Sequence, residues 1–247
     1  MELINAIYFI LYTKYSLMTI QNIYSHYKIM PNLQEHQLRV AGVSFIIGKS
    51  MSNQNVDTEN IVVACLLHDM GNIIKFKLDL FPEFVNPEGL DYWKKIQQEY
   101  IRTYGADEHV ATMSIVKGII PHMRDNPYEK QRIIKLIEAI GFSNAKENYE
   151  TTDFGKKVAA YADMRVKPYG VTSLKDRLED GRKRFSKIQK YEHEVFENLS
   201  QYLNKIEDQI FAQSTISPAD ITEDAVQKII PKCQQTLHIR SIDQKDR

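Results

Sequence analysis

Apolar residues recur along almost the whole chain at steps of three and four, the spacing of helices with one buried face. Residues 3–28, rich in Ile, Leu and Tyr, predict one or two helices, and Pro31-Asn32 breaks the chain before a helix from Leu33 to Lys49. Ser52-Asn53-Gln54-Asn55 reads as a loop. Asp57 or Thr58 then caps a helix that carries the continuous apolar run Ile61 to Leu67, and Gly71 ends or bends it. Residues 76–90 contain Pro82, Pro87 and Gly89 and read as irregular. Further helices are predicted over 91–103 around Trp93, over 108–120 up to Pro121, over 128–140, and from Phe154 to Arg165. No strand pair and no two-residue hairpin turn is expected, so the predicted class is all-α.

The pattern changes at Thr172. Leu174, Leu178, Gly181, Phe185, Ile188, Val195, Leu199, Tyr202 and Ile206 follow one another at steps near three and four, the step to Val195 passing through Glu192, a polar interruption. This predicts one long charged helix to about Phe211 with a coiled-coil-like seam, packed on the core or on a second subunit as a homodimer. A last short helix is expected from Ser217-Pro218 through Ile230. The expected organisation is an N-terminal helical extension over 1–17, a helical domain over 18–170 and a C-terminal helical region over 171–247.

Composition narrows the partners. The chain has 247 residues with 32 Lys+Arg against 32 Asp+Glu, so no global positive field exists to hold a long nucleic acid. A small anionic substrate needs only a local positive pocket. Cys65 and Cys233 are far apart, and Cys65 lies in the apolar run, which points to a reducing compartment and no disulfide framework. The apolar stretch Ile4 to Tyr12 is too short for a bilayer, which takes roughly 20 residues. Glu2 replaces the basic start of a secretory signal. The expectation is a soluble, cytoplasmic protein without a membrane partner.

The chemistry is concentrated at His68-Asp69, which closes the apolar run. An ionised carboxylate there costs several kcal/mol unless it is compensated. An imidazole beside it suggests a bound cation. His36 lies 32 residues earlier, a separation that suits two consecutive helices packed side by side. Asp163 ends a helix whose neighbours Val158, Ala159, Ala160 and Ala162 mark it as buried. Two imidazoles and two carboxylates suit a hard or borderline divalent ion such as Mn²⁺, Co²⁺, Fe²⁺ or Mg²⁺.

These residues resemble the HD-domain superfamily of metal-dependent phosphohydrolases. His36-Gln37-Leu38-Arg39-Val40-Ala41 is similar to its first motif, Cys65-Leu66-Leu67-His68-Asp69-Met70-Gly71-Asn72 to its second, and Ala160-Tyr161-Ala162-Asp163 to its last. The resemblance covers roughly residues 20–170. It implies a helical bundle with a metal at its centre and hydrolysis of a small phosphorylated substrate, of the kind often found in nucleotides. The implied ligands are His36, His68, Asp69 and Asp163. Many members carry Lys or Glu three residues after the motif Asp. Here that position is Asn72, which transfers no proton at neutral pH, and Lys75 is the nearest replacement.

The other expected site residues follow from position. His109, with Met113 and Val116 at helical spacing, is a candidate for the interior, as active-site acid or second-metal ligand. His122 is a further second-metal ligand candidate, and Glu108 a water-positioning one. Arg165, Lys167 and Lys75 are candidates for substrate phosphates. Arg39, one turn after His36, is expected to pair with a carboxylate such as Asp69 and orient the ligand shell. Phe76, Phe81, Phe84 and Trp93 are either core or the lining of a base-stacking pocket. Two other functions fit the same residues. One is a di-iron oxygenase of the same superfamily, which requires His109 and His122 to join the other four. The other is a non-catalytic metal or nucleotide sensor.

Overall fold

The computed structural model describes residues 19–51, 56–123, 127–188 and 193–237. The extension expected over 1–17, the loop 52–55, Glu192 and His238 lie outside them. Helix α1 (Ile20–His26) starts from a capping box at Thr19. Pro31 begins helix α2 (Pro31–Ser50) rather than breaking the chain. A first-turn proline lacks only an N–H that would have had no helical partner.

Helix α3 (Thr58–Leu67) is capped by Asp57, whose side chain accepts from the Asn60 N–H. Every residue of α3 except Glu59 is buried. A helix covered on all sides has no polar stripe, which accounts for its continuous apolar run. After α3 the chain runs through short 3-10 turns to helix α4 (Leu90–Tyr104). Helices α5 (Glu108–Ile119), α6 (Pro127–Ala139), α7 (Ala145–Glu150) and α8 (Phe154–Asp163) follow.

Helix α3 lies at the centre of the bundle, against α2, α6 and α8, and α8 also touches α2. The three helices that carry the motif residues are therefore mutual neighbours. One hydrophobic core runs through them and takes in Leu203, Ile206, Ile210, Val226 and Cys233 from the C-terminal stretch. Helix α11 (Glu223–Gln234) lies along α2. The approach is close at Gly42, where an added Cβ would sit 2.8 Å from Val226 Cγ1.

Two expectations are corrected here. A hairpin does follow α8: β1 (Val166–Lys167) pairs antiparallel with β2 (Gly170–Val171) across the two-residue turn Pro168-Tyr169. Strands of two residues are too short for alternation to show in a sequence. The long helix expected over 172–211 is two helices, α9 (Leu174–Ile188) and α10 (His193–Phe211). Arg182 Nε and Glu197 Oε1 are 2.7 Å apart. On one straight helix those residues would be about 22 Å apart, so α9 and α10 lie against each other rather than end to end. The apolar face of α10 then covers α7 and α8 of the same chain. No helix among the described residues is long and apolar enough to cross a membrane.

Candidate metal centre

Helix α2 supplies His36, the C-terminal end of α3 supplies His68 and Asp69, and the last residue of α8 is Asp163. Their donor atoms face one another. His36 Nε2 lies 3.6 Å from Asp69 Oδ2 and 3.1 Å from Asp163 Oδ1. His68 Nε2 lies 3.6 Å from Asp69 Oδ2 and 3.5 Å from Asp163 Oδ1. Nitrogen and oxygen thus alternate around a ring. Donors held about 2.1 Å from one ion at angles between tetrahedral and octahedral stand roughly 3.0–3.4 Å from their neighbours. The ring is slightly wider than that and suits a shared cation. One ligand atom each from His36, His68 and Asp69 fall within 4.8 Å of one another. Asp163 joins them through its contacts with both imidazoles.

His68 and Asp69 are held in place by neighbouring groups. His68 Nδ1 is 2.8 Å from the Cys65 carbonyl, so it carries the hydrogen and donates. This leaves Nε2 as the atom that faces the ring, buried and without a hydrogen bond of its own, so it can hold either a proton or a cation there. A buried, unpartnered imidazole nitrogen aimed at two carboxylates is the mark of a metal ligand. Asn72 Nδ2 donates to Asp69 Oδ2 at 2.7 Å. The Asp69 N–H donates to Oε1 of the buried Gln37 at 3.3 Å. Tyr24 Oη donates to the Leu66 carbonyl at 2.7 Å and steadies the end of α3. Helix α8 is fixed at its other end, where Asp153 caps it and receives a fork of two hydrogen bonds from Arg132.

The electrostatics agree with the geometry. Burial lowers the His68 pKa, but Asp69 and Asp163 outweigh it and push it up to about 9. Burial raises Asp163, yet its hydrogen bond with His36 and the charges of both imidazoles hold it well below the usual carboxylate range. Without an ion, a proton on His68 thus offsets the buried negative charge. A cation would take the place of that proton.

Gly71 brings helix α5 to the edge of the centre. A Cβ there would lie 2.5 Å from the Glu108 carbonyl oxygen and 2.7 Å from both Ala111 Cβ and Thr112 N. Its N–H donates to Thr112 Oγ1 at 2.9 Å. Glu108, at the start of α5, then meets Lys75 at 3.0 Å. Burial lowers the Lys75 pKa, but Asp69, Glu108 and Asp163 raise it above the ordinary value. Lys75 is therefore a firmly charged cation beside the ligand carboxylates, with about half of its side chain exposed.

Other expected residues lie elsewhere. Arg39 pairs with Glu35 and Glu223, at 3.0 and 2.9 Å, rather than with Asp69. Glu223 also accepts from the Val171 N–H at 2.7 Å, so it ties α2 to the hairpin. Arg165 is buried, and its guanidinium donates to Tyr161 Oη and to the carbonyls of Thr172, Pro218 and Ile221. That corrects its expected contact with a substrate phosphate, because the donors are already spent on joining α8 to the C-terminal region. Lys167 lies half-buried on β1, four residues beyond Asp163. His109 is exposed rather than interior, because Ala111 and Thr112 take the inward face of that turn. His122 is half-buried at the end of a 3-10 turn. Neither joins the donor cluster found among the described residues, so the six-ligand set of a two-iron centre is not assembled there. Trp93 is core, 3% exposed. A cleft of about 640 Å³ lined by Arg165, Thr172, Lys175, Glu207 and Glu223 lies against the hairpin and α11, and no donor of the centre lines it.

The sequence alone did not reveal the supporting residues. Gln37 had a usable signal, as a polar side chain in the buried stripe Leu33, Gln37, Val40, Ala41 and Ser44 of α2. The Cys65 carbonyl and Glu223 had none, because a backbone acceptor and a partner 184 residues from Arg39 leave no local pattern.

A family model described as HD domain matches residues 33–163, just over half of the chain. No curated protein and no solved structure matches it. The match begins at the start of α2 and ends on Asp163, so it contains all four donors and every helix that carries them. By that match and by the centre it encloses, the chain belongs to the HD-domain family.

Proposed function

We propose that this protein is a metal-dependent phosphohydrolase acting on a small phosphorylated substrate of the nucleotide class. The observation that carries the reading is the ring of four donors, with His68 Nε2 buried and unpartnered within it. His36, His68, Asp69 and Asp163 would hold one divalent ion. Two nitrogens and two carboxylate oxygens suit Mn²⁺, Co²⁺, Fe²⁺ or Mg²⁺ and leave positions for water and a substrate oxygen. Such an ion, when bound, supplies an acidified water and neutralises charge on the phosphoryl oxygens.

The chain's own residues do the positioning. The Cys65 carbonyl holds the His68 tautomer, and Asn72 and Gln37 hold Asp69. Lys75, kept charged by its carboxylate neighbours and anchored on Glu108, can meet the remaining phosphate charge. Its raised pKa suits a fixed cation better than a proton donor. Lys167, half-buried on β1 four residues after Asp163, is a second candidate cation, and His109 is exposed near the start of α5, where it can exchange protons with solvent.

The test combines elemental analysis of the purified protein with turnover of a panel of phosphorylated compounds in added Mn²⁺, Co²⁺ or Mg²⁺. One divalent ion per chain and metal-dependent release of phosphate are expected, with both lost in Asp163→Ala. Undiminished turnover in a metal-free Asp163→Ala protein would refute the scheme.

A further inference from the structure

Two arms of the chain leave the metal centre. One runs from Asp69 through Asn72–Lys75 and the 3-10 turns to Val85. The other runs from Asp163 into the β1–β2 hairpin. Their starting oxygens both contact the same two imidazoles. Their far ends meet again. The ring centroids of Phe84 and Tyr169 are 5.5 Å apart at 35°, and Tyr169 Oη donates to Glu83 Oε1 at 2.7 Å. The arms therefore close a loop that begins at the donors and ends at aromatic rings.

Both arms carry the same chemical order: a ligand carboxylate, then a lysine, then aromatic rings. In the first these are Asp69, Lys75, and Phe76, Phe81 and Phe84. In the second they are Asp163, Lys167 and Tyr169. The rings form one cluster. Phe81 and Phe84 are stacked at 5.6 Å and 25°, and Phe76 lies 5.7 and 6.1 Å from them. At its outer end Tyr169 is 70% exposed. An exposed ring, backed by Phe84 and fixed through its hydroxyl, is a surface ready to stack on another flat group. Six residues separate Tyr169 from Asp163, so at full extension they span at most about 20 Å, and the turn at Pro168-Tyr169 makes the distance shorter.

Resting on the hydrolase reading above, we propose that Tyr169, supported by Phe84, is a specificity-determining residue on which a planar ring of the substrate stacks. The order along both arms is the order of such a molecule: reactive phosphate at the donors, remaining phosphate charge at the lysines, ring on Tyr169. A nucleoside phosphate has that order, and a sugar phosphate or inorganic phosphate lacks the last part.

The experiment measures binding by calorimetry to the full chain loaded with Mn²⁺. Nucleoside mono- and triphosphates are compared with their ring-free counterparts, ribose 5-phosphate and inorganic triphosphate. The wild type is expected to bind at least one nucleotide about tenfold or more tightly than its counterpart. Tyr169→Ala should remove that preference and leave ring-free binding and Mn²⁺ content unchanged. Tyr169→Phe should keep it, because stacking needs no hydroxyl. Equal wild-type affinity for both sets, binding of neither set, or an equal loss for both in Tyr169→Ala would overturn the proposal. Turnover is read separately: a nucleotide preference without phosphate release would sink the hydrolase reading and leave the stacking residue in place.

Discussion

Asp69 and Asp163 each end one kind of structure and begin another. Behind them are α3 and α8, buried helices whose far ends are capped by Asp57 and by Asp153 with its Arg132 partner, and the donors His68 and Asp69 are held by Cys65, Gln37 and Asn72. Ahead of them are the arms: short 3-10 turns, a hairpin with a two-residue turn, a half-exposed Lys75, partly buried phenylalanines and the exposed ring of Tyr169. The same carboxylate thus belongs to a packed interior on one side and to an open rim on the other. A metal site needs donors held to a fraction of an ångström, and close packing supplies that. A rim that meets substrate needs accessible groups. On the proposed function, the chemistry falls to the centre and the choice of substrate to the arms.

The contrast breaks most visibly at His68. His68→Ala should remove bound metal and lower turnover by about a thousandfold or more, as elemental analysis and phosphate release would show. If metal content stays at wild-type level, the centre is not what holds it. Next is Arg165, which has the composition of a rim residue and the burial of a central one. Arg165→Ala leaves the Thr172 and Ile221 carbonyls without their guanidinium donor, while Tyr161 Oη keeps Glu207, and should destabilise the protein by roughly 2–4 kcal/mol in denaturant unfolding, with KM unchanged. A raised KM with unchanged stability would return Arg165 to the rim.

Asn72 sits on the boundary. Asn72→Ala frees the Asp69 carboxylate and should weaken metal affinity by about 10–100-fold, measured by competition with a chelator. Lys75→Ala should leave metal affinity unchanged and raise KM by up to about tenfold, a purely rim-like outcome.

The smallest effect concerns the anchoring of α8. Hydrogen bonds from Arg132 hold the Asp153 pKa below its ordinary value of 3.8, against a burial effect that raises it. A carboxylate with a depressed folded pKa stabilises fully above its unfolded value and less as pH falls through the folded one. Acid unfolding should therefore show a stability loss below about pH 4 that is weaker in Arg132→Ala. The size is modest because the pair is partly exposed.

Much of the centre was legible because its residues sit on strongly periodic helices. The apolar run before His68 signals a helix buried on all sides, and the residues around Asp163 do the same for α8. The ends of those elements give the ligands their place. The arms carry weaker signals. A two-residue strand shows no alternation, so the hairpin over 166–171 went unseen, and with it the return of Tyr169 to Phe84. A charged residue near a motif looks alike whether it faces solvent, substrate or a set of carbonyls, so the sequence does not tell that Arg165 is spent on carbonyls, nor that the carboxylates Arg39 pairs with are Glu35 and Glu223. The seam over 174–206 has the right period for one helix. Only the Arg182–Glu197 pair shows that α9 and α10 lie against each other.

The sequence by itself determined the helical class and the buried character of α3 and α8, which depend on residue type and on spacing within one element, and its resemblance to the HD-domain superfamily singled out the four candidate donors. The tertiary structure decided which partners each side chain finds across the chain: Glu223 for Arg39, Asn72 for Asp69, the Cys65 carbonyl for His68, and Phe84 for Tyr169. Those pairings depend on how helices pack and where loops return, and long-range contacts of that kind leave no period in the sequence to read.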